Sequence, residues 1–313
     1  MIEVENLTKY YGPKAALVDV SFSVKKGEIV GLLGPNAAGK TTAMRIITGF
    51  MPPTSGRARV AGYDVVEKSL EVRKRIGYMP EMTPLYTDMS VREYLSFMGR
   101  IKGVERGLIR ERVDATMRKT ALTDVSNTIV GRLSKGYRQR VGLAQAMIHN
   151  PDVLILDEPT AGFDPKQQAE ARLLIKSLAG EHTVILSTHI LTDVSIMCSR
   201  VIIIDQGKIA AEDTPENLTR KLKGADRIQL LIRGPEREVK MKLAAVEKVT
   251  KVEAKTQKGG LSSYAVDCQL GADVREKLAS TVVAGGWGLV ELRREVMSLE
   301  DIFLQLTTEE AHV

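Results

Sequence analysis

The segment GPNAAGKTT (34–42) carries residue types that can bind phosphate groups. It fits the pattern G-x-x-x-x-G-K-[ST], with an apolar run before it and a helical pattern from about Lys40. Glycines let consecutive backbone N–H groups turn toward an anion, and a helix N-terminus adds a positive dipole. Lys40 would hold the β- and γ-phosphates and Thr41 would ligate Mg²⁺. The segment therefore predicts a nucleotide phosphate site.

Two adjacent carboxylates end the apolar run VLILDE (153–158). A phosphate loop of this kind requires a second Mg²⁺ anchor at the tip of a buried strand, and Asp157 is placed to serve through water. Glu158 can polarise the attacking water as a general base. Two acids at a strand end also commonly cap a following helix, here before Pro159. The phosphate loop favours the catalytic interpretation.

Two further motifs are ambiguous when each is considered alone. The segment LSKGYRQR (133–140) has three basic residues in eight, which fits nucleic-acid binding, phosphate binding or a solvated helix start. The tripeptide STH (187–189) ends another apolar run, where a lone histidine is more often structural than catalytic. Their meaning depends on the rest of the chain.

The elements that position these motifs alternate between strands and helices. VDVSFSV (18–24) has period-two apolar residues, IVGLLG precedes the phosphate loop, and Ser90 and Glu93 open a helix at capping-box spacing. VIIIDQGKIAAED (201–213) predicts a hairpin that turns at Gln206-Gly207. This alternation predicts an α/β core with parallel strands.

The pattern changes after KLKG (221–224). Strand and helix signals then follow in the order β-α-β-β-α-β, which is that of a ferredoxin-like unit. A last helix is predicted at SLEDIFLQL (298–306). We therefore predict two domains, residues 1–220 and residues 225–313.

Composition predicts a cytosolic protein. None of the apolar runs in the 313 residues reaches the roughly 18 residues of a membrane span, and the N-terminus does not resemble a secretory signal. The two cysteines, Cys198 and Cys268, are far apart, which fits a reducing compartment. From Ala225 onward 13 Lys/Arg face 14 Asp/Glu, which leaves 32 against 25 in residues 1–224. The basic excess in the first domain suits a polyanionic ligand, an acidic membrane surface or simple solvation.

The four motifs GPNAAGKTT, LSKGYRQR, LILDEPTAGFD and STH, in this order, resemble the nucleotide-binding subunits of ABC (ATP-binding cassette) transporters. The resemblance covers residues 1–220. It implies a P-loop nucleotidase cassette with a mixed sheet core and a helical subdomain. The C-terminal segment resembles the small α+β ferredoxin-like accessory domain of some export-type cassettes, including the gliding-type and drug-export branch.

The resemblance also implies site residues and roles. An aromatic ring at Tyr11 would stack on adenine, Glu158 and His189 would act in catalysis, and Asp164 would face the partner subunit. Ser134 and Gly136 would contact the γ-phosphate of ATP held by a second copy. The Mg²⁺ ligands would be Thr41, Glu81 and Asp157. The phosphate loop would contribute Gly34, Asn36, Ala37, Gly39, Lys40, Thr41 and Thr42.

The sequence departs from the common family pattern at several positions. Ala37 replaces a usual glycine and requires a backbone conformation that tolerates a Cβ. Lys135 and Tyr137 replace a glycine and a glutamine of the signature. Glu81 stands where glutamine is common, so the detail of Mg²⁺ coordination is open although a carboxylate can ligate the metal.

The leading hypothesis is an ATPase subunit that uses Mg-ATP and works as a nucleotide-sandwich homodimer. It would sit on the inner face of the cell membrane and power a separate permease, with export favoured over import. Nucleic acid is not expected as a partner. The alternative is a soluble cassette ATPase that acts on nucleic acid or ribosomes, and the basic excess is compatible with it. An inactive structural subunit is disfavoured because Lys40, Asp157, Glu158 and His189 are all present.

Overall fold

The computed structural model describes residues 1–222, 226–256, 261–269 and 272–295. The chain divides into two compact units, residues 1–216 and a second unit from Asn217 onward. The helix predicted at 298–306 lies outside the described residues. In the described part, no helix is both long and apolar enough to cross a lipid bilayer.

A six-stranded sheet forms the centre of the first unit, in the order β10-β9-β3-β8-β7-β6. The five strands from β9 to β6 are parallel to one another, and β10 closes the edge as the second strand of a hairpin with β9. The five parallel strands are short and mostly apolar, as expected for strands buried on both faces, whereas β10 alternates between exposed and half-buried residues. The six strands are β3 (Ile29–Leu33), β6 (Ile76–Met79), β7 (Val153–Asp157), β8 (Thr183–Thr188), β9 (Arg200–Asp205) and β10 (Lys208–Asp213).

A second, antiparallel sheet has the order β2-β1-β4-β5. Its strands are β1 (Ile2–Tyr11), β2 (Lys14–Val24), β4 (Ser55–Val60) and β5 (Tyr63–Asp64). Alternate residues of β2, including Val20, Phe22 and Val24, are buried, as the period-two pattern predicts. Together with α1 (Lys40–Ile47) these strands enclose one apolar core that also includes residues of the parallel sheet.

A group of helices forms a separate apolar cluster within the first unit. It contains α3 (Val91–Ile101), α4 (Ile109–Lys119) and α5 (Lys135–Met147). The predicted capping box is confirmed: the Glu93 backbone N–H donates to Ser90 Oγ, and the Ser90 N–H donates to the Glu93 carboxylate. The remaining helices of this unit are α2 (Ser69–Arg75), α6 (Pro165–Ser177), α7 (Leu191–Met197) and the start of α8 (Pro215–Leu222).

The second unit contains an antiparallel sheet in the order β12-β13-β11-β14. In β13 every second residue is buried, and Tyr264 and Cys268 lie in the unit's apolar core. Both Cys198 and Cys268 are free thiols, as predicted. The elements in chain order are β11 (Asp226–Arg233), α9 (Glu236–Ala244), β12 (Val249–Thr256), β13 (Leu261–Cys268), α10 (Arg275–Ala284) and β14 (Gly288–Glu295).

The structure confirms the predicted α/β core with parallel strands, and among the described residues it adds six short α-helices and strands that the sequence did not reveal. These are α2, β4, β5, β6, α7 and α8, each between two and eight residues long. Such short segments have too few residues to display a clear period of 3.6 or 2.

Candidate functional site

The carboxyl ends of four neighbouring parallel strands meet at one edge of the central sheet. The phosphate loop follows β3, His189 follows β8, Asp157 ends β7, and Glu81 comes two residues after β6. A cavity of about 620 Å³ lies at this edge. Its lining includes Tyr11, Asn36, Ala37, Gly39, Lys40, Thr41, Thr42, Glu81, Asp157, Glu158 and His189. Most residues predicted from the sequence to bind nucleotide therefore share one cavity.

The phosphate loop depends on close backbone approaches. Gly39 has φ +113, and a Cβ there would lie 2.6 Å from the Ala16 carbonyl oxygen. A Cβ at Gly34 would lie 2.2 Å from the Ile204 carbonyl oxygen, so this wall of the loop also excludes side chains. Ala37 has φ +67, the left-handed conformation that its replacement of glycine was expected to require.

Lys40 points back into its own loop. Its Nζ donates to the carbonyl oxygens of Gly34 at 2.6 Å and Pro35 at 2.9 Å. Burial lowers the pKa of the Lys40 ammonium, while the negative charges of Glu158 and Asp157 partly oppose that shift. A phosphate would replace weak carbonyl acceptors with charged oxygens and would strengthen these hydrogen bonds.

The two carboxylates after β7 have different surroundings. Asp157 is 3% exposed and accepts a hydrogen bond from the Ser187 hydroxyl on the neighbouring strand β8. The next residue, Glu158, has φ +50, and its backbone N–H donates to the Ser187 carbonyl oxygen at 3.1 Å. The left-handed backbone turns the Glu158 side chain toward the cavity.

The Glu158 carboxyl group is held on one side only. His189 Nδ1 lies 2.9 Å from Glu158 Oε1, whereas the buried Oε2 has no hydrogen-bond partner. Burial raises the pKa of Glu158 above its usual value, and the contact with His189 partly counteracts this. A buried acceptor without a donor, beside a raised pKa, is suited to receiving a proton from a water molecule.

Tyr11 lies at the edge of the cavity with 44% of its surface exposed. Its hydroxyl donates to Met51 Sδ at 3.1 Å, and the Lys9 ammonium lies 5.7 Å from its ring centroid. The ring is thus positioned with an open face available for stacking.

The signature residues Ser134 and Gly136 do not line this cavity. Ser134 is the N-cap of α5, where its hydroxyl accepts from the Tyr137 N–H at 3.3 Å. A Cβ at Gly136 would lie 2.0 Å from Gln167 Oε1, so this glycine permits close contact with α6. Within one chain these residues therefore form a separate helix N-terminus rather than a wall of the nucleotide cavity.

Lys135, the unusual cation of the signature, contacts the loop that follows Glu158. A Cβ added at Gly162 would lie only 1.9 Å from Lys135 Nζ, and Gly162 has φ +73. Gln139 Nε2 also donates to the Ala161 carbonyl oxygen at 3.3 Å. The loss of the usual glycine at 135 is accommodated because Lys135 is an ordinary first-turn residue of α5.

Two supporting residues were not identified from the sequence. One is Ser187, which joins Asp157 to β8; it lies within the STH motif but has no charge to draw attention. The other is Asp193, a fully buried carboxylate on α7. It accepts from the Thr160 hydroxyl and pairs with Arg172 on α6 at 2.5 Å. An acid in a short helix gives no pattern that would reveal such long-range partners.

Metal binding at this edge would use hard oxygen ligands, because Asp157, Glu81 and the Thr41 hydroxyl all line the cavity. Across residues 1–222, 226–256, 261–269 and 272–295, no group of three or more His, Cys, Asp or Glu side chains could hold a metal ion. The donor set suits a cation that shares its ligands with a nucleotide, as Mg²⁺ commonly does.

Comparison with protein families finds a match between residues 17–161 and the ABC transporter family model. Three similar proteins align with nearly the whole chain. The linearmycin resistance ATP-binding protein LnrL of Bacillus subtilis (strain 168) is 32% identical, over 98% of both chains. The daunorubicin resistance ATP-binding protein DrrA2 of Streptomyces coeruleorubidus is 36% identical, over 98% of this chain and 94% of that protein. The Nod factor export ATP-binding protein I of Burkholderia orbicola (strain AU 1054) is 35% identical, over 99% and 97%.

Solved structures resemble about two-thirds of the chain. An ATP-binding subunit of an ABC transporter superposes with a TM-score of 0.64 at 29% identity, over 71% of this chain and 92% of that one. A dimeric, post-hydrolysis state of the ATP-binding cassette MJ0796 bound to ADP and Pi gives a TM-score of 0.63 at 26% identity, over 68% and 98%.

Proposed function

This chain belongs to the ABC transporter family of ATP-binding proteins, and from that membership we propose how its site works and what it serves. The protein is an ABC-type ATPase, the nucleotide-binding subunit of a transporter. We propose that it hydrolyses Mg-ATP as a homodimer and drives export through a separate membrane permease. In this arrangement it would lie against the inner face of the membrane.

The observation that supports the catalytic proposal is the placement of Lys40 and Glu158 in one cavity, where Lys40 can donate hydrogen bonds and Glu158 can accept a proton. Lys40 has donors available for the β- and γ-phosphates once it leaves its loop carbonyls. Glu158 keeps a buried free oxygen, Oε2, for the attacking water. His189 would hold Glu158 through Nδ1 and present its other nitrogen to the γ-phosphate. Tyr11 would stack on the adenine.

Mg²⁺ fits the same edge of the sheet through Thr41, Asp157 and Glu81, which together line the cavity. When bound it would offset negative charge on the phosphate oxygens. The chain's own contribution is to fix Asp157 through Ser187 on β8, so that this carboxylate keeps one orientation.

The dimer proposal rests on the position of Ser134 and Gly136. Ser134 caps α5 and leaves other N–H groups of the first turn directed outward, a common anion-binding arrangement. Because these residues stand outside the cavity of their own chain, they would complete the ATP site of a second copy. The dimeric ATP-binding cassette with a TM-score of 0.63 supports this arrangement.

A groove beside Glu81 is the proposed docking site for a cytoplasmic helix of the permease. It encloses about 710 Å³ and is lined by Phe50, Leu85, Tyr86, Ile101 and other residues. Phe50 is 72% exposed and Ile101 60% exposed, which is unusual for large apolar side chains. Tyr86 and Tyr94 both line the groove, with ring centroids 6.1 Å apart, and Tyr86 also packs edge-on against Phe97 behind them.

Export is proposed because the related proteins named above carry names of drug resistance and Nod factor export. For the second unit we propose a ferredoxin-like accessory domain that stabilises the dimer. Its strand order β12-β13-β11-β14, with two helices in the connections, supports that fold.

Reconstitution tests the transport proposal. The full chain is expressed with candidate permeases, and ATPase activity is measured in membranes with and without each one. Stimulation by a permease, lost in Phe50→Ser but retained in the control Leu173→Ser, is the expected result, because Leu173 is 68% exposed outside the groove. Stimulation by DNA, RNA or ribosomes and by no permease would instead favour the soluble-ATPase alternative.

A further inference from the structure

A second polar cavity lies between α3 and α4, apart from the nucleotide site. It encloses about 740 Å³ and shares no lining residue with the nucleotide cavity. Four arginines line it: Arg92, Arg100, Arg106 and Arg110. One carboxylate, Asp114, is the only acidic residue among the lining residues of the described chain.

The charges in this cavity are not balanced. Arg92 Nη1 donates to Asp114 Oδ1 at 2.7 Å, and this hydrogen bond, with the nearby charges of Arg110 and Arg118, lowers the pKa of Asp114. In the part of the chain that the structure describes, Arg100, Arg106 and Arg110 form no ion pair with a carboxylate. The lining therefore has three positive charges in excess, on residues that are all exposed.

Helix geometry explains why these charges gather at one end of the helix pair formed by α3 and α4. Arg92, Ser96 and Arg100 are four residues apart on α3, so they follow one face of that helix. Asp114 contacts Arg92, and a Cβ at Gly99 would meet the Ile109 side chain at 3.1 Å. The two helices thus run antiparallel, and the three free guanidinium groups lie toward the end where α3 stops and α4 begins.

The start of α4 adds a positive helix dipole at that same end. A 3₁₀ turn, Arg106–Leu108, continues directly into α4 at Ile109, and no side chain caps either segment. The 11-residue helix has the positive end of its dipole at this terminus. Like charges that line one cavity repel one another, and a bound anion would reduce that repulsion.

We propose that this cavity is a binding site for an anion with several phosphate groups. Guanidinium groups bind phosphate through paired, charge-assisted hydrogen bonds, and an excess of three positive charges is more than the charge of about −1.5 to −2 on a single phosphate offsets. Such chemistry is offered by a soluble polyphosphate and by the phosphorylated headgroup of a membrane lipid. The site shares no lining residue with the nucleotide cavity, and it is proposed independently of the transport function.

A titration with inorganic tripolyphosphate tests the site. The nucleotide cavity of the full chain is first saturated with Mg²⁺ and a non-hydrolysable ATP analogue, and the heat of Mg²⁺ chelation by tripolyphosphate, measured without protein, is subtracted from the calorimetric titration. Arg100→Gln/Arg106→Gln should weaken tripolyphosphate affinity by about tenfold or more. The control Arg57→Gln/Arg237→Gln removes the same charge from exposed positions outside the cavity and should bind like the wild type.

Flotation with vesicles identifies the source of the phosphates. Phosphatidylcholine vesicles with and without phosphatidylinositol phosphate are mixed with the same three proteins. Binding of both tripolyphosphate and vesicles, each lost in Arg100→Gln/Arg106→Gln, indicates a lipid headgroup, and binding of tripolyphosphate alone indicates a soluble anion. Equal affinities for the double variant and the control, or no binding in either assay, would overturn the proposal.

Discussion

His189 Nδ1 lies 2.9 Å from Glu158 Oε1, and this contact joins residues that follow two neighbouring strands, β7 and β8. The contact leaves Glu158 Oε2 buried and without a partner. One carboxyl group is therefore both oriented, through Oε1, and available for proton transfer, through Oε2. The expected effects of replacing Glu158 on ATP turnover and on the pH dependence of stability follow from these two roles of its carboxyl oxygens.

Replacement of Glu158 by glutamine should slow ATP turnover by about 10²–10⁴-fold while ATP affinity stays near the wild-type value. The amide cannot accept the proton of the attacking water, but the phosphate loop is unchanged. Phosphate release and calorimetric ATP titration measure the two effects. Glu67→Gln, at an exposed position, is the control. Wild-type turnover in Glu158→Gln would transfer the role of base to another residue, with Glu81 first.

The same substitution should stabilise the protein at neutral pH. Because burial raises the pKa of Glu158 above 4.5, the folded protein binds this proton more tightly than the unfolded chain does. The favourable contribution of Glu158 to the free energy of unfolding is complete below pH 4.5, and it is lost as the pH rises through the raised pKa of the folded protein. Thermal unfolding of Glu158→Gln should occur at a higher temperature than wild type at pH 7.5, and the gap should close near pH 4. A less stable variant at pH 7.5 would contradict this.

Lys40→Ala should weaken nucleotide binding by about tenfold or more, because two charge-assisted hydrogen bonds to phosphate are lost. In the wild type the contribution of Lys40 to nucleotide affinity is reduced, because Lys40 must first break its hydrogen bonds to the carbonyl oxygens of Gly34 and Pro35. Calorimetry with ATP measures the change, and exposed Lys26→Ala serves as the control. Unchanged affinity in Lys40→Ala would mean that residues 34–42 are not the phosphate site.

Asp193→Ala should lower the free energy of unfolding by about 3 kcal/mol, because it leaves the Arg172 guanidinium group and the Thr160 hydroxyl without their shared acceptor. Turnover should also fall, since Thr160 belongs to the loop directly after Glu158. Denaturant unfolding and phosphate release measure both quantities. Asp88→Ala, at an exposed position, should change neither. A stability loss without any loss of turnover would restrict Asp193 to a structural role.

Ser134 and the phosphate loop should approach one another only between two chains with bound nucleotide. Cys198 and Cys268 are first replaced by serine, and then one chain receives Asn36→Cys and another Ser134→Cys. Asn36 is chosen because it is exposed at the cavity. A series of cross-linkers should join the two chains efficiently with Mg-ATP and poorly without it.

A second test of the shared site uses a large side chain to block the partner instead of a cross-linker. Ser134→Arg should abolish ATPase activity while ATP binding to the single chain is retained, because the large side chain blocks the approach of the partner. Full activity in this variant, or cross-linking that is indifferent to ATP, would refute the shared site.

The sequence alone determined the local parts of this protein. The capping box of Ser90 and Glu93 was predictable because its partners are three residues apart, and the Gln206-Gly207 turn because it lies between two strand patterns. The phosphate loop likewise depends on neighbouring residues from Gly34 to Thr42, so a short motif contains the information it requires. The presence of parallel strands followed from the alternation of apolar runs with helices.

Only the tertiary structure decided which of these parts meet. The strand order β3-β8-β7-β6 brings Lys40, His189, Glu158 and Glu81 to one cavity, and it separates Ser134 from them. It also decided that Ser187 would support Asp157, and that four arginines would gather around the single carboxylate of Asp114 between α3 and α4. Strand pairing and helix packing join residues that are distant along the chain, so the burial of Glu158 and the raised pKa it causes cannot be read from the residues beside it.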